Sequence, residues 1–358
     1  MKLENKNILL ISPEPWEHLF VSKHHYATHL AERGNKVFFL GPPEDEYSLQ
    51  ETQFSNLWRL GYKGFPKGIR FYPSFVQRWL IRRKFEYLQQ MTKTKFDLVW
   101  SFDNSVFYDF SALSKNVFCI SHIVDLNQNF QTAKAASTAN LCIGVIPKIV
   151  MRLNIHNPKT ILITHGTKEW KNSSDKIMAL PGSNSIKAVY AGNLAMPFID
   201  WIILKTLFGK HPDVDFILVG SNHEVAERTL CNNKFNNLFF LPQVSSKVLS
   251  GYLKAADILL LAYTSQYYEN YASPHKLLEY FASGKTIVAT WSDEYQKQYE
   301  ESLILMSKSP EEFDVHFTEV KQNFKIWNTS EKALKRINFA LANTYVQKIN
   351  QVEKALTS

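Results

Sequence analysis

Continuous apolar runs, more than alternating ones, set the rhythm of this chain. Asn7–Ser12, Lys36–Leu40, Asp97–Phe102, Val117–Ser121, Leu141–Ile146 and Thr160–Thr164 read as strands buried on both faces, the pattern of a parallel sheet covered by helices. Ser22–Gly34 is predicted as a helix with Tyr26, Ala27 and Leu30 inward and Gly34 as its stop. Residues 41–75 look irregular, with one short strand near Ile69–Tyr72. A second series follows after a polar segment, 168–185, whose Pro181-Gly182-Ser183 suits a linker. Its strands are Lys187–Tyr190, Asp215–Val219, Leu238–Leu241, Asp257–Tyr263, Thr286–Thr290 and a short Leu303–Met306, with helices at Ile199–Gly209 and Lys247–Ala256. From Pro310 the chain reads as helices. The class is α/β, with two doubly wound domains: 1–167, the linker 168–185, 186–325, and terminal helices over 326–358.

Residues 257–290 form the most informative unit: strand, loop, helix, strand. Ser273 suits an N-cap, Pro274 the first helical position and Gly284 the stop. The loop opens at the carboxyl end of a parallel strand, where open α/β sheets bind ligands. A helix start there favours phosphate, and Lys276 adds a full charge. His275, Lys276 and Glu279 share one helix face, so Glu279 stands one turn above the phosphate position and can accept both hydroxyls of a ribose. The same Lys–Glu pair would also serve as a solvated surface pair worth roughly a few tenths of a kcal/mol.

The segment SPHKLLEYFASGKTIVAT resembles the "SPxKxxEYxAxGKPIV" segment of glycosyltransferases of the GT-B class, especially family 4, and its counterpart in xanthan-type glucuronosyltransferases. The resemblance implies two Rossmann-like domains facing across a cleft, with C-terminal helices crossing back to the first. It implies a hexosyltransferase-type, nucleotide-sugar-dependent enzyme working without a metal, the donor held by the second domain. Donor contacts would come from Gly192, Asn193, Tyr263, Ser273, His275, Lys276 and Glu279. Two departures stand out. Tyr271 occupies the position of a second Glu in many family 4 members, and Asn193 that of an Arg. His165-Gly166-Thr167 resembles the turn that closes the first domain in this class.

On the acceptor side, Ile120-Ser121-His122-Ile123-Val124-Asp125 follows a buried strand, so His122 and Asp125 are expected to reach the cleft. In the resemblance an Asp of this segment is the base of an inverting transfer, with Asp125 first and His122 second. Asp125 would alternatively cap the following helix. The loop Pro13-Glu14-Pro15-Trp16-Glu17-His18 takes the place of a G-x-G-x-x-G, which argues against a dinucleotide dehydrogenase. His25 and His29 share a helix face but lack a third ligand. Asp213-Val214-Asp215 is a D-x-D at the amino end of a strand, the wrong end for a parallel-sheet site.

Charge changes the picture in one half only. Residues 1–165 hold 20 Lys and Arg against 13 Asp and Glu, the remainder 21 against 20. Within the basic half, Arg78, Trp79, Arg82, Arg83 and Lys84 lie on a basic aromatic helix near 75–85, of the kind that lies on anionic membranes. No apolar run is long enough to span a membrane, and MKLENKN leads into the first strand without a signal-peptide pattern. Cys119, Cys142 and Cys231 read as buried thiols of a cytosolic protein. The expectation is a cytoplasmic enzyme on the inner membrane face, with a UDP-type nucleotide sugar as co-substrate, no cofactor, a glycan or lipid-linked acceptor and no specific nucleic acid. A nucleotide-sugar epimerase and a non-catalytic sugar-nucleotide or glycan-binding relative are the alternatives.

Overall fold

A computed structural model describes the chain except residues 19, 169–176, 231–234, 271–273 and 358, and the side chains of 269 and 270. It divides into two compact units. The first is built mainly from Met1–Gly166 and Tyr345–Ser358, the second from Thr167–Glu269 and Ser273–Thr344.

The first unit runs β1 (Asn7–Ile11), α1 (Ser22–Glu32), β2 (Lys36–Leu40), β3 (Ser48–Glu51), β4 (Leu57–Gly61), α2 (Ser74–Thr92), β5 (Leu98–Ser101), β6 (Phe118–Ile123), α3 (Thr132–Thr138), β7 (Leu141–Gly144), α4 (Pro147–Asn154) and β8 (Thr160–Leu162). Its eight strands lie in the order β3-β4-β2-β1-β5-β6-β7-β8. All pairs are parallel except β3–β4. Strand order therefore reverses between β1 and β5. The runs predicted as buried strands lack alternation because helices cover both faces of the sheet: in β1, Ile8, Leu9, Leu10 and Ile11 are all fully buried.

Two local expectations are corrected. The stretch at Ile69–Tyr72 is not a strand but a single 3-10 turn over Ile69–Phe71. The irregular region instead contributes β4 beside β2, with β3 folded back on it. Both are short and partly exposed, so they carry neither a clean alternation nor a long apolar run.

The second unit continues with β9 (Ile186–Ala191), α5 (Trp201–Lys210), β10 (Val214–Val219), α6 (His223–Leu230), β11 (Leu238–Leu241), α7 (Ser246–Ala255), β12 (Ile258–Leu261), α8 (Ser265–Asn270), α9 (Lys276–Ser283), β13 (Thr286–Thr290), α10 (Gln296–Glu300), β14 (Leu305–Ser307), α11 (Pro310–Gln322), α12 (Phe324–Trp327) and α13 (Ser330–Ala342). Its sheet has the order β11-β10-β9-β12-β13-β14, all parallel. This is the doubly wound order whose crevice opens between the first and fourth strands, here β9 and β12. The tail is locked to the sheet by buried Arg336, which donates to the carbonyls of Leu303 (2.8 Å), Trp327 (3.0 Å) and Gly284 (3.2 Å). Three carbonyl partners satisfy a guanidinium that burial would otherwise penalise heavily.

The last helix, α14 (Tyr345–Thr357), packs in the first unit against α1. Glu353 accepts from the Leu3 amide (2.6 Å) and pairs with Arg33 (3.1 Å), tying the helix to the chain start.

Candidate functional site

In the second unit, one side chain clips the helix α9 to the sheet. The Tyr280 hydroxyl accepts from the Ala191 amide (2.9 Å) and donates to the Leu260 carbonyl (3.2 Å), clipping α9 to the ends of both strands that flank the switch point. Leu277, Leu278, Tyr280 and Phe281 bury the inner face of the helix. The opposite face, with Lys276 and Glu279, is thereby fixed toward the loop after β9. The helix begins with His275 as its cap, without a side-chain cap bond. Ser273 and Tyr271 lie outside the described residues.

Lys276 sits where a ligand phosphate is expected. Its ammonium lies over the ring of Tyr190 (5.3 Å to the centroid) and near that of Tyr263 (6.0 Å). A Cβ added to Gly192 would overlap Nζ, so the ammonium rests directly on that glycine. The loop below is equally tight. Gly192 donates to the Val219 carbonyl (2.8 Å), and a Cβ on Gly220 would overlap the Gly192 carbonyl oxygen. Two glycines let two strand ends meet under one lysine.

Glu279 is half-buried. Desolvation pushes its carboxyl above the ordinary carboxylate range, and Lys168 and Lys276 partly offset that. Asn193 is exposed, and its side-chain oxygen accepts from the Ala195 amide (3.0 Å) and the Asn222 amide group (2.8 Å), a loop-building role. His275 is exposed and Tyr263 is buried. The structure thus brings Gly192, Lys276, Tyr263 and Glu279 together at the switch point. Sequence reasoning missed Tyr190 and Lys168. The first reads as an ordinary core aromatic of its strand, and the second as part of a polar linker.

In the first unit, His122 is not where its position near a strand end suggested. It is 1% exposed, packed against Phe102 (4.5 Å between centroids) and Tyr26 (5.5 Å). Its Nδ1 accepts from the Trp100 indole at 3.3 Å, and its Nε2 is buried without a hydrogen-bond partner. Burial, with Lys23 adding to it, pushes the imidazole down to about 3. The central strand β6 is covered on both faces right up to its end, so the ring serves the core. Asp125 lies in the turn beyond, half-buried. The turn is pinned by Gln128, whose Oε1 accepts from the Val124 (2.8 Å) and Asp125 (3.0 Å) amides. Asp125 does not cap α3, which starts at Thr132 after Gln131.

The basic helix is real but its charges divide. Lys84 turns inward and donates to the carbonyls of Lys63 and Gly64 and to Tyr47, and the Arg82 Nε donates to the Ala112 carbonyl (2.9 Å). Lys84 thus does not face outward as its helical position suggested. Arg83 lies over exposed Trp79 (5.3 Å), and Arg78 is half-buried. The outward surface includes Phe75 at the start of the helix, 69% exposed, and two residues the sequence reading passed over: Phe71 is 77% exposed, and the Arg70 guanidinium lies over the rings of Phe71 (4.6 Å) and Phe130 (5.1 Å).

The remaining acidic and histidine motifs have protein partners. Asp213 pairs with Lys321 (3.0 Å) and Asp215 with Lys187 (2.5 Å). His25 stacks on Tyr345 and His29 meets Glu32 (2.7 Å). Cys119 and Cys142 are buried thiols, pushed up to about 12 and about 11 by desolvation, and Cys231 lies outside the described residues.

Solved structures similar to this chain share its architecture over nearly all of both chains. Sucrose-phosphate synthase from Thermosynechococcus elongatus matches with a TM-score of 0.73 at 13% identity, covering 98% of each chain. A structure described as trehalose-6-phosphate from E. coli bound with UDP-2-fluoro glucose matches with 0.70 at 10% identity, again over 98% of each. Anabaena HepE in complex with UDP and glucose matches with 0.63 at 13% identity, covering 99% of this chain and 100% of its own. The fold is that of the two-domain GT-B glycosyltransferases. Residues 188–320 also match the model of the family described as Glycosyl transferases group 1, so the second unit is a glycosyl transferase domain and the protein a glycosyltransferase. No curated protein matches the chain by sequence.

Proposed function

We propose that the protein transfers a hexose from a UDP-type nucleotide sugar to a hydroxyl of a glycan or lipid-linked acceptor. The observation that carries this is the Lys276 ammonium resting on Gly192 at the switch point, one helical turn from Glu279. A diphosphate entering there would meet a full positive charge and the amide groups that open α9, which together stabilise the leaving group without a metal ion. Glu279 would accept the ribose hydroxyls and Tyr263 would wall the site. Two of the similar structures hold UDP or a UDP-sugar, which supports the choice of nucleotide. Asp125 is the proposed acceptor base, since His122 has no solvent-facing nitrogen.

The test is calorimetry with UDP, GDP and ADP on wild type and Lys276→Ala. UDP should bind and the variant should bind it at least tenfold more weakly. If no nucleotide binds, or the variant matches wild type, the reading is wrong. Asp125→Asn should keep UDP binding and lose turnover.

The acceptor would lie at an anionic membrane surface on the cytoplasmic side. No helix among the described residues is long and apolar enough to cross a membrane. The support is the outward set Phe71, Phe75 and Trp79 beside Arg70, Arg78 and Arg83, apolar rings to enter the interface and guanidinium groups to meet lipid phosphates. Wild type should sediment with vesicles containing phosphatidylglycerol, and the Phe75→Ser, Trp79→Ser double variant should stay in the supernatant. Equal sedimentation of both would refute the surface assignment.

A further inference from the structure

A second cavity opens in the glycosyl transferase domain, on the β13–β14 side of the switch point. It has a volume of about 460 Å³ and sits over the carboxyl ends of β12, β13 and β14. That volume is within the roughly 300–1,000 Å³ of small-ligand sites. The nucleotide reading does not use it. The ring of Tyr263, which faces Lys276 on one side, is part of its wall.

The floor is rigid. Thr290 is 8% exposed, and its hydroxyl bonds the Tyr263 amide (3.2 Å) and the Tyr268 hydroxyl (3.2 Å). The Ser307 hydroxyl is fixed by His316 (2.9 Å). In the wall, Trp291 is held by its indole N–H, which donates to Asp293 (2.7 Å), and by edge contact with Tyr299. Lys308 lies over the same indole at 4.3 Å. The charge here is wrong for a phosphate. Asp200 and Asp293 line the cavity against one lysine, and Glu312 already takes the Lys308 amide at the start of α11 (2.6 Å). What remains is a pocket lined by serine hydroxyls, aromatic rings and two carboxylates, of which Asp200 also caps α5 through one oxygen and Asp293 holds the indole through one oxygen. A neutral, many-hydroxyl ligand satisfies both kinds of group: its hydroxyls bond the serines and carboxylates, and its C–H faces pack on the ring.

We infer that this cavity is a glycan subsite, binding one or two neutral sugar units of a saccharide chain independently of the nucleotide. It would let the enzyme hold a growing or neighbouring chain.

The probes are maltose, cellobiose, lactose and N,N′-diacetylchitobiose, read by saturation-transfer NMR on the full chain with and without saturating UDP. At least one should bind, persist with UDP present, and weaken tenfold or more in both Trp291→Ala and Asp293→Ala. UDP affinity, measured separately, should be unchanged in both variants, which also shows that they are folded. Absence of binding by all four overturns the inference, as does displacement by UDP or binding that survives both substitutions. UDP calorimetry reports on the donor site alone, so failure of that reading is seen separately.

Discussion

Replacing Glu279 by Gln should move stability and binding in opposite directions. The side chain keeps its shape and loses its charge. In the folded protein the carboxyl is raised by desolvation, with Lys168 and Lys276 too weak to cancel it. A raised carboxyl means that the fold prefers the protonated form. Its favourable contribution is fully present below the unfolded-state value, roughly 4.3, and is lost as pH rises through the folded value. At neutral pH the ionised carboxylate is therefore a burden on the unliganded protein, one that Gln does not carry. Glu279→Gln should raise the melting temperature at pH 8 and leave it nearly unchanged at pH 4. Binding works the other way. Hydrogen bonds to a charged group are worth roughly 1.5–3 kcal/mol and those to a neutral one roughly 0.5–1.5, so the amide should lose about 1–2 kcal/mol on the ribose hydroxyls, a 5- to 30-fold weaker UDP. Differential scanning fluorimetry across pH and calorimetry with UDP and uridine read the two effects. Both ligands should weaken alike, because both carry the ribose. A variant that is destabilised at pH 8 and binds UDP as wild type does would refute the assignment and leave Glu279 a structural carboxylate.

Lys276→Met should weaken UDP by roughly 10- to 100-fold, the loss of a charged hydrogen bond, and leave uridine unaffected; equal losses for both ligands would remove the phosphate role. Gly220→Ala should destabilise the second unit strongly, because the methyl meets the Gly192 carbonyl and backbone must move, whereas in Gly192→Ala the methyl meets the flexible end of Lys276 and the Tyr190 hydroxyl at a backbone φ of +157°, so the variant should lose both some stability and UDP binding; thermal melts and calorimetry separate the two. His122→Phe should remain folded and active, though destabilised by roughly 1–3 kcal/mol because the Trp100 indole loses its acceptor; loss of turnover with an intact fold would restore His122 as a catalyst. The same substitution should flatten acid sensitivity between pH 6.5 and about 3, because in that window the unfolded chain binds a proton that the buried imidazole refuses, and stability falls as pH falls.

What the sequence revealed followed from local geometry. The continuous apolar runs placed the strands because both faces of each sheet are covered. Lys276 and Glu279 were legible because helix spacing and position after a parallel strand are written within a dozen residues. What stayed hidden depends on partners far away in the chain. Nothing near Gly220 announces that the Gly192 carbonyl presses on it, and nothing near Lys84 announces that the carbonyls of Lys63 and Gly64 will claim its ammonium. β3 and β4 were missed for a related reason, being short strands whose order comes from pairing with β2.

His122 and Asp125 show the limit most sharply. Three residues apart at the end of one strand, both were read as reaching toward a ligand, yet one is sealed in an aromatic core and the other stands in the turn beyond. The decisive quantity is how far the covering side chains of neighbouring elements extend past the strand end, which no local pattern records. The aromatic partners Trp100, Phe102 and Tyr26 come from β5, its following loop and α1, and together they cover β6 to its last residues. A polar residue at the end of a parallel strand is thus a fair site candidate only when it lies past the last fully covered position. By that criterion Asp125 survives, and the protonation state of a buried His122 has no path to an acceptor hydroxyl.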